Sequence, residues 1–278
     1  MVNIITDSTA DLGPALAQRF KIRIVPLYVV IADQVYTDGV TIHLAQLFES
    51  VAQTGQLPKT SAPSVPDFIA AFDQPGESVY ISLSSQISAT YQNALLAQQS
   101  FEPGRVFVID SRNLTTGIGL LALHAADLRD QGFSAADIAA QISTLVTHVR
   151  TSFVIETLDY LHKGGRLSSM QSLMGSLLHI RPVIAVREDG TLGVKSRTRG
   201  SRRKALTALL DDFREHLPEI NLERVFIVHT GCDADVAYLK SELMGMAPNI
   251  GEIFVTHAGS VIGSHCGPGT IAIPYILK

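Results

Sequence analysis

Short apolar runs rich in valine and isoleucine alternate with longer amphipathic stretches through the first half of the chain. Strands are predicted at 2–6, 22–31, 79–83, 106–110 and 153–156. Helices are predicted near 12–20, 42–54, 65–72, 88–100, 114–131 and 134–149. Strands that alternate with helices are typical of βαβ units and a mainly parallel sheet. The polar segment at 33–39 predicts the tip of a hairpin rather than a crossover.

The second half begins with a different pattern. A short helix at 158–163 ends at Gly164 and Gly165, a pair suited to a left-handed C-cap. Apolar runs at 182–186 and 192–196 flank a Glu-Asp-Gly turn, which predicts a hairpin.

Further alternation follows to the end of the chain. Helices are predicted at 201–217 and 233–246, and strands at 224–228, 252–256 and 270–276. We therefore predict an α/β protein with two α/β domains and a ligand cleft between them. The predicted domains are an N-terminal one over 1–155 and a C-terminal one over 156–278.

The composition limits the possible functions. The chain has 278 residues, of which 46% are hydrophobic, enough for one large or two medium domains. A net charge of −4 gives no general attraction to nucleic acid. No uncharged apolar run approaches the ~18 residues of a membrane span, and the first residues lack a signal-peptide pattern. With only two cysteines, Cys232 and Cys266, we expect a chain of the reducing cytoplasm.

Polar clusters follow the predicted strands at 2–6 and 79–83. Such positions are where open α/β sheets bind ligands. In the cluster at 6–12, Asp11 with Pro14 shortly after it favours helix capping as the simpler interpretation. The cluster at 82–91 contains Ser84 and Ser85 and opens a helix. Four serines within seven residues exceed what capping requires, and hydroxyls with free amides there suit an anionic oxygen group.

Three further segments carry candidate chemistry. Ser64 is expected to cap a helix, which leaves Thr60 and Ser61 either in an ordinary loop or able to point hydroxyls into a cleft. Arg166 emerges after the double glycine, where a solvated arginine is the simpler interpretation. His265 lies in a Gly/Pro-rich loop and can hydrogen-bond a carboxylate in either charge state. The nine histidines show no spacing typical of zinc, so no metal is expected.

Taken together, five segments resemble the DegV family of bacterial fatty-acid-binding proteins, in the family's order and over the whole chain. They are T-D-S-T-A-D-L at 6–12, T-S-A-P-S at 60–64, S-S-x-x-S-x-T-Y-Q at 84–92, K-G-G-R-L-S at 163–168 and G-x-H-x-G-P-G at 263–269. Any one segment is unspecific, whereas five in order are a strong signal. The resemblance implies a binding protein without catalytic residues or a cofactor.

The resemblance also implies a site. In the family, hydroxyls of the second and third segments and the late histidine hold the acyl carboxylate at the domain interface, and the acyl tail lies in an apolar tunnel. The residues expected to bind the ligand are therefore Thr60, Ser61, Ser84, Ser85, His265 and Gly267. Candidate wall segments of the tunnel are the aliphatic stretches at 118–123 and 173–184.

Some members of the family are the acyl-binding subunit of a bacterial fatty acid kinase, whose separate ATP-binding subunit phosphorylates the bound carboxylate. The resemblance implies a long-chain fatty acid and such a kinase subunit as partners here. Arg166 and Arg199 resemble basic positions linked to that phosphorylation step. The family often has glycine where this chain has Gln86 and Ala89, so the loop must differ locally if glycine serves a positive φ there.

Two other classes of function remain open from the residues. One is a serine- or thiol-dependent acyl hydrolase that uses Ser84, Ser85 or Cys266 with His265. The other is a small-metabolite phosphotransferase, because the expected fold resembles that of dihydroxyacetone kinase subunits. Hydrolysis of an acyl ester by the purified protein would favour the first, and phosphorylation without a partner would favour the second.

Overall fold

The computed structural model describes residues 2–166 and 180–278. Its strands are β1 (Val2–Asp7), β2 (Ile22–Val25), β3 (Tyr28–Ile31), β4 (Gln34–Thr37), β5 (Lys59–Ser61), β6 (Glu77–Ser82), β7 (Val106–Asp110), β8 (Val149–Arg150), β9 (Ser152–Val154), β10 (Ile180–Val186), β11 (Leu192–Arg199), β12 (Arg224–His229), β13 (Glu252–His257), β14 (Ile271–Ala272) and β15 (Tyr275–Ile276). Its α-helices are α1 (Gly13–Arg19), α2 (Leu44–Thr54), α3 (Val65–Phe72), α4 (Thr90–Gln98), α5 (Thr116–Asp130), α6 (Ala135–Leu145), α7 (Asp159–Lys163), α8 (Arg202–His216), α9 (Asp233–Met246) and α10 (Ser260–Cys266).

The first sheet has four parallel strands in the order β2-β1-β6-β7. Helices α5 and α6 pack on one face of it. On the other face, Ile5 and Tyr80 of the sheet pack against Phe68 and Phe72 of α3 and Ala94 of α4. The predicted alternation of strands and helices therefore produces helix layers on both faces, as expected for a parallel sheet.

The second sheet has six strands in the order β11-β10-β9-β14-β12-β13, and only the β12–β13 pair is parallel. Helices α8 and α9 bury Leu209, Phe213 and Leu239 against one face. Strand β9 precedes residue 155 yet pairs with β10 and β14, which come from the other side of that position. The division into residues 1–155 and 156–278 stays a prediction.

Helix α5 lies between the two sheets. It contacts β1 and β6 of the first sheet and β12 of the second. Ile4 of β1, Ile118 of α5 and Phe226 of β12 accordingly belong to a single buried cluster. The two sheets therefore share a hydrophobic core, and the α/β architecture predicted from the sequence is confirmed.

Two predicted strands are each divided in the structure. The prediction at 22–31 becomes β2, which joins the four-stranded sheet, and β3, which joins a separate three-stranded sheet in the order β4-β3-β5. The prediction at 270–276 becomes β14 and β15. Pro26 and Pro274 lie in the two gaps, and proline has no N–H to donate to a ladder.

The hairpin that was predicted at 33–39 has a shorter tip. Ala32 and Asp33 form it, with φ of 46° and 63°, and Gln34–Thr37 is already the returning strand β4. Positive φ at two successive residues is what a tight hairpin turn requires. In the part of the chain that is described, no helix has the length and apolar character needed to cross a membrane.

Helix α10 is the element around which the site is built. It packs against β3 and β5 of the small sheet and against helices α2 and α7. Its middle residue, Gly263, lies so close to Leu44 of α2 that an added Cβ would overlap the leucine side chain. The end of α10 is thereby brought to the carboxyl edge of the first sheet.

Candidate functional site

A cavity of about 340 Å³ lies between α10, strand β5, the loop after β6 and helix α7. That volume falls within the usual range for small-molecule sites. Its apolar lining residues are Leu27, Ala62, Leu83, Ile87, Ala89, Leu114, Leu161, Leu192, Val261, Ile262 and Cys266. Its polar lining residues are Thr60, Ser61, Ser88, Asn93, Arg166 and His265. An apolar cavity with a few convergent polar groups is typical of a ligand site.

His265 and Thr60 meet at this cavity although 205 positions separate them. Thr60 Oγ1 of β5 lies 2.8 Å from His265 Nε2 in the last turn of α10. Burial, and to a lesser extent the Arg166 guanidinium, lowers the pKa of His265 to about 4. His265 is therefore neutral at pH 7. The Thr60 hydroxyl and the His265 imidazole together offer the cavity hydrogen-bonding groups that carry no full charge.

Arg166 reaches the cavity because helix α7 ends in a left-handed turn. Gly165 has φ +73°, and the Arg166 N–H donates to the Leu161 carbonyl, so the chain turns back toward the site. Nε of Arg166 donates to the Ile87 carbonyl (3.1 Å) and Nη1 to the Gly164 carbonyl (2.6 Å). Among the described residues no carboxylate pairs with it, and burial lowers its pKa. A guanidinium whose remaining N–H groups meet no acceptor among the described residues can bind an anion.

Ser84 and Ser85 lie next to the cavity but do not line it. The buried Ser84 hydroxyl donates to the Gly190 carbonyl in the β10–β11 turn (2.9 Å). The Ser85 hydroxyl donates to Asp110 Oδ2 (2.6 Å), and its N–H donates to Oδ1 of the same carboxylate (3.1 Å). Direct contact of either serine with a ligand stays a prediction, and these bonds show how the serine-rich loop is held.

Two lining residues were missed as candidates. Ser88 lies in the serine-rich segment and bonds with Thr90, which begins α4 (2.8 Å). Asn93, one turn further along α4, donates to the Pro63 carbonyl (2.8 Å) and so ties that helix to the Thr60 loop. Ser88 belongs to the S-S-x-x-S-x-T-Y-Q segment at 84–92, so the sequence could have identified it as a candidate. The position of Asn93 depends on how α4 is oriented.

Gln86 and Ala89 need no special backbone conformation. Neither residue has a positive φ, and Ala89 has φ −77° and ψ −1°. Glycine is therefore not required for φ at these positions of the loop. The loop keeps its shape through the hydroxyls of Ser84, Ser85 and Ser88 instead.

The remaining expected site residues have different positions. Ser61 lines the cavity, and its hydroxyl donates to the Ala62 carbonyl (3.3 Å). Gly267 has φ +75°, and an added Cβ would lie 2.7 Å from the Tyr160 ring, so glycine lets α10 end against α7. Arg199 is exposed at the end of the edge strand β11 and does not line the cavity. Their assigned roles stay predictions.

Of the two stretches expected to form apolar walls, the structure tests the one at 118–123. The stretch at 118–123 is buried in the shared core and does not line the cavity. Of the stretch at 173–184, positions 173–179 lie outside the described residues, as do 167 and 168 of the fourth segment. A small apolar pocket of about 20 Å³ shares Leu114, Ile262 and Cys266 with the cavity and extends toward Phe153.

The capping interpretation of Asp11 was wrong. Leu12 occupies the cap position of α1 and makes no side-chain bond there. Asp11 is instead buried in a left-handed conformation (φ 50°), with its carboxylate pointing inward. Ser64, by contrast, caps α3 as predicted, because its hydroxyl accepts from the Asp67 N–H.

One group of potential metal ligands lies outside the cavity. His229, Asp233 and His257 bring ligand atoms within 4.8 Å of one another at the ends of β12 and β13. Nδ1 of His229 accepts a hydrogen bond from the Cys232 N–H (3.1 Å). In neutral imidazole the other nitrogen then carries the proton, which leaves Nε2 without a lone pair for a metal.

The chain is similar to known proteins over its whole length. The family model described as "Uncharacterised protein, DegV family" matches residues 1–278. A "DegV domain-containing protein" of Deinococcus radiodurans is 34% identical over 277 residues, which cover 98% of this chain and 97% of the relative.

Solved structures give the same result. A fatty-acid-binding DegV family protein from Thermus thermophilus has a TM-score of 0.92 and 32% identity, over 100% of this chain and 99% of that one. The fatty acid kinase B3 protein of Streptococcus pneumoniae, solved with linoleic acid, has a TM-score of 0.89 and 25% identity, over the full length of both chains. The chain described here belongs to the DegV family.

Proposed function

We propose that this protein binds a long-chain fatty acid and presents it to the ATP-binding subunit of a fatty acid kinase. The acyl tail occupies the apolar cavity, and the carboxylate lies at the Thr60–His265 pair beside Arg166. The observation that carries the proposal is the convergence of these three polar side chains on a cavity whose lining is mostly apolar. The relatives described as fatty-acid-binding support it.

The energetics agree with this ligand. A carboxylate in a partly dry site needs several hydrogen-bond donors, because an unpaired buried charge is costly. Thr60 and His265 offer O–H and N–H donors. A tail of about 15 methylenes contributes roughly 12 kcal/mol at ~0.8 kcal/mol each, as an upper bound before the cost of ordering the chain.

The side chains near the cavity support binding without catalysis. Burial raises the pKa of the Cys266 thiol to about 12, so no thiolate forms near neutral pH. The Thr60–His265 pair resembles a nucleophile with its base, but His265 has a pKa of about 4 and is a weak base. Nδ1 of His265 is buried without a partner among the described residues, so none of these residues orients the ring as the third member of a triad would.

Mass spectrometry of the purified protein tests the proposal. Under native conditions we expect a mass increase equal to one fatty acid, and the delipidated protein should take up added palmitate or oleate. A protein that stays free of ligand, and takes up neither acid, would contradict the proposed function. Incubation with an acyl ester serves as a parallel assay, and its hydrolysis would favour the hydrolase alternative.

Head-group variants locate the carboxylate. Thr60→Val and His265→Ala should each weaken fatty-acid binding by roughly 1.5–3 kcal/mol, the usual loss for one hydrogen bond to a charged group. Thr207→Val is a matched control, because the exposed Thr207 hydroxyl bonds only within α8. Isothermal titration with palmitate measures all three variants. Unchanged affinity in both head-group variants would mean that the carboxylate binds elsewhere.

A further inference from the structure

Buried carboxylates lie beside the cavity and take no part in the proposed head-group contacts. Asp7, Asp11 and Asp38 are 0%, 5% and 3% exposed, and no lysine or arginine within the described ranges pairs with them. Burial raises the pKa of Asp11 well above its ordinary value, and the nearby Asp38 and Asp7 raise it further. Burying a carboxylate without a cationic partner costs free energy, so we expect each of the three to make hydrogen bonds that the fold needs.

The hydrogen bonds of Asp7 stabilise the first sheet. Its Oδ2 accepts from the Tyr80 hydroxyl and from the Leu83 N–H, both at 2.9 Å. Asp7 therefore joins the end of β1 to the loop after β6. Asp11 and Asp38 do not have this role, because each accepts a hydrogen bond from a backbone N–H at the start of α10.

The carboxylates of Asp11 and Asp38 accept hydrogen bonds from backbone N–H groups at the start of α10. Oδ1 of Asp11 accepts from the Gly259 N–H, and Oδ1 of Asp38 accepts from the Ser260 N–H, each at 2.7 Å. Oδ2 of Asp11 accepts from the Thr115 hydroxyl (2.6 Å), which fixes the carboxylate at the start of α5. Two residues from the beginning of the chain thus hold a helix near its end.

Gly259 gives an independent sign that this contact is close. An added Cβ there would lie 3.0 Å from Asp38 Oδ2 and 3.2 Å from Asp11 Oδ1. Its φ is −70°, a value that any residue adopts, so the backbone does not require glycine here. A side chain at this position would push both carboxylates outward by a few tenths of an ångström.

We propose that Asp11 and Asp38 are positioning residues of the fatty-acid site, which hold His265 against Thr60 by fixing where α10 begins. Helix α10 has only seven residues, about 10 Å at 1.5 Å per residue, so a shift at its first turn moves its last turn as well. His265 lies in that last turn. This inference rests on the proposed function for its effect on fatty-acid binding.

The test uses the delipidated full chain and the variants Asp11→Ala and Asp38→Ala. NMR titration of the labelled His265 imidazole reports its surroundings without any ligand, and palmitate titration reports the affinity. In wild type the ring faces Thr60 and Arg166, with a pKa of about 4. In both variants we expect that pKa to rise toward the ordinary 6.5 as the ring leaves its dry position, and the affinity to fall at least tenfold.

Three further variants keep the test decisive. Asp11→Asn retains an acceptor oxygen for Gly259 and should behave as wild type. Asp212→Ala removes a buried carboxylate of α8 that pairs with Lys195, and should leave His265 unchanged despite a loss of stability. Gly259→Ala crowds both carboxylates without removing either, and should shift the His265 pKa upward even if the alanine variants fail to fold.

The proposal is overturned if the folded variants Asp11→Ala, Asp38→Ala and Gly259→Ala keep the pKa of His265 near 4 and bind palmitate as wild type does. It is also overturned if Asp212→Ala shifts the His265 pKa as far as they do. A wild-type protein that binds no fatty acid would refute the proposed function alone, because the imidazole titration needs no ligand.

Discussion

At the residue scale, the buried neutral imidazole of His265 has a measurable cost in acid. Its pKa is about 4 in the folded chain and ~6.5 in an unfolded one, so between these values the unfolded state binds the extra proton. We predict that the free energy of unfolding falls by at most about 3 kcal/mol more in wild type than in His265→Gln as pH drops from 7 to 4. Urea unfolding of the delipidated proteins measures it, and parallel pH profiles would contradict it.

Arg166 separates binding from presentation. Its guanidinium is held by two carbonyls at the edge of the cavity, and Thr60 and His265 already offer donors to a carboxylate. We predict that Arg166→Ala binds palmitate within about threefold of wild type, a change under 1 kcal/mol, but forms acyl-phosphate far more slowly with the cognate kinase subunit. The variant Arg199→Ala, at the end of the exposed edge strand β11, is measured in the same two assays.

The two assays distinguish the possible roles of Arg166. Poor binding by Arg166→Ala would make this residue a head-group ligand. Normal binding with normal phosphorylation would leave it as a residue that only follows a helix cap. Arg187→Ala is a matched control, because that arginine is exposed in the β10–β11 turn and does not line the cavity.

At the element scale, the close packing of α10 on α2 can be tested with two glycines. An added Cβ at Gly263 would overlap Leu44, whereas Gly245 near the end of α9 has open space around its Cα. We predict that Gly263→Ala lowers the free energy of unfolding by about 1–3 kcal/mol, because overpacking forces a helix shift. Gly245→Ala should raise it by up to ~1 kcal/mol, through helix propensity. Equal effects in urea titrations would contradict this account of α10.

The elements also show how far the sequence could be interpreted. Valine- and isoleucine-rich runs located β1, β6 and β7, because a strand buried on both faces is apolar throughout. The same apolar character hid the breaks at Pro26 and Pro274, since the strands on each side of the break differ only in the sheet they join. Local pattern carries no information about which sheet accepts a strand.

The site was harder to predict than the elements. Thr60 was identifiable as a polar residue that no local structure required. The loop position expected for His265 was wrong, because it lies in the last turn of α10, but the two residues meet at the cavity. Ser84 and Ser85 have equally suitable side chains, but their hydroxyls donate to Gly190 and Asp110, contacts that depend on distant loops. Asp11 has the sequence of a helix cap, and only the tertiary fold reveals its buried contact with Gly259.

At the scale of the whole molecule, an ion pair joins the second sheet to helix α5, which packs on the first sheet. Arg224 of β12 forms a bidentate pair with Asp127 of α5, and its guanidinium lies 5.2 Å from the Phe20 ring. We predict that Asp127→Ala lowers the free energy of unfolding by about 1–3 kcal/mol, because it leaves a mostly buried guanidinium without its main partner. Asp211→Ala, which breaks an exposed pair with Arg214, should cost under ~0.5 kcal/mol. Equal losses from thermal denaturation would rule this out.

The site residues become available at different times during synthesis. Asp11 and Thr60 emerge early, whereas His265 follows Thr60 by 205 positions. Synthesis runs from the N-terminus, so the early helices and the four-stranded sheet can form while α10 does not yet exist. The cavity therefore lacks one wall until α10 has been made. A fatty acid cannot be held at both Thr60 and His265 before then, so it cannot guide the folding of the first sheet.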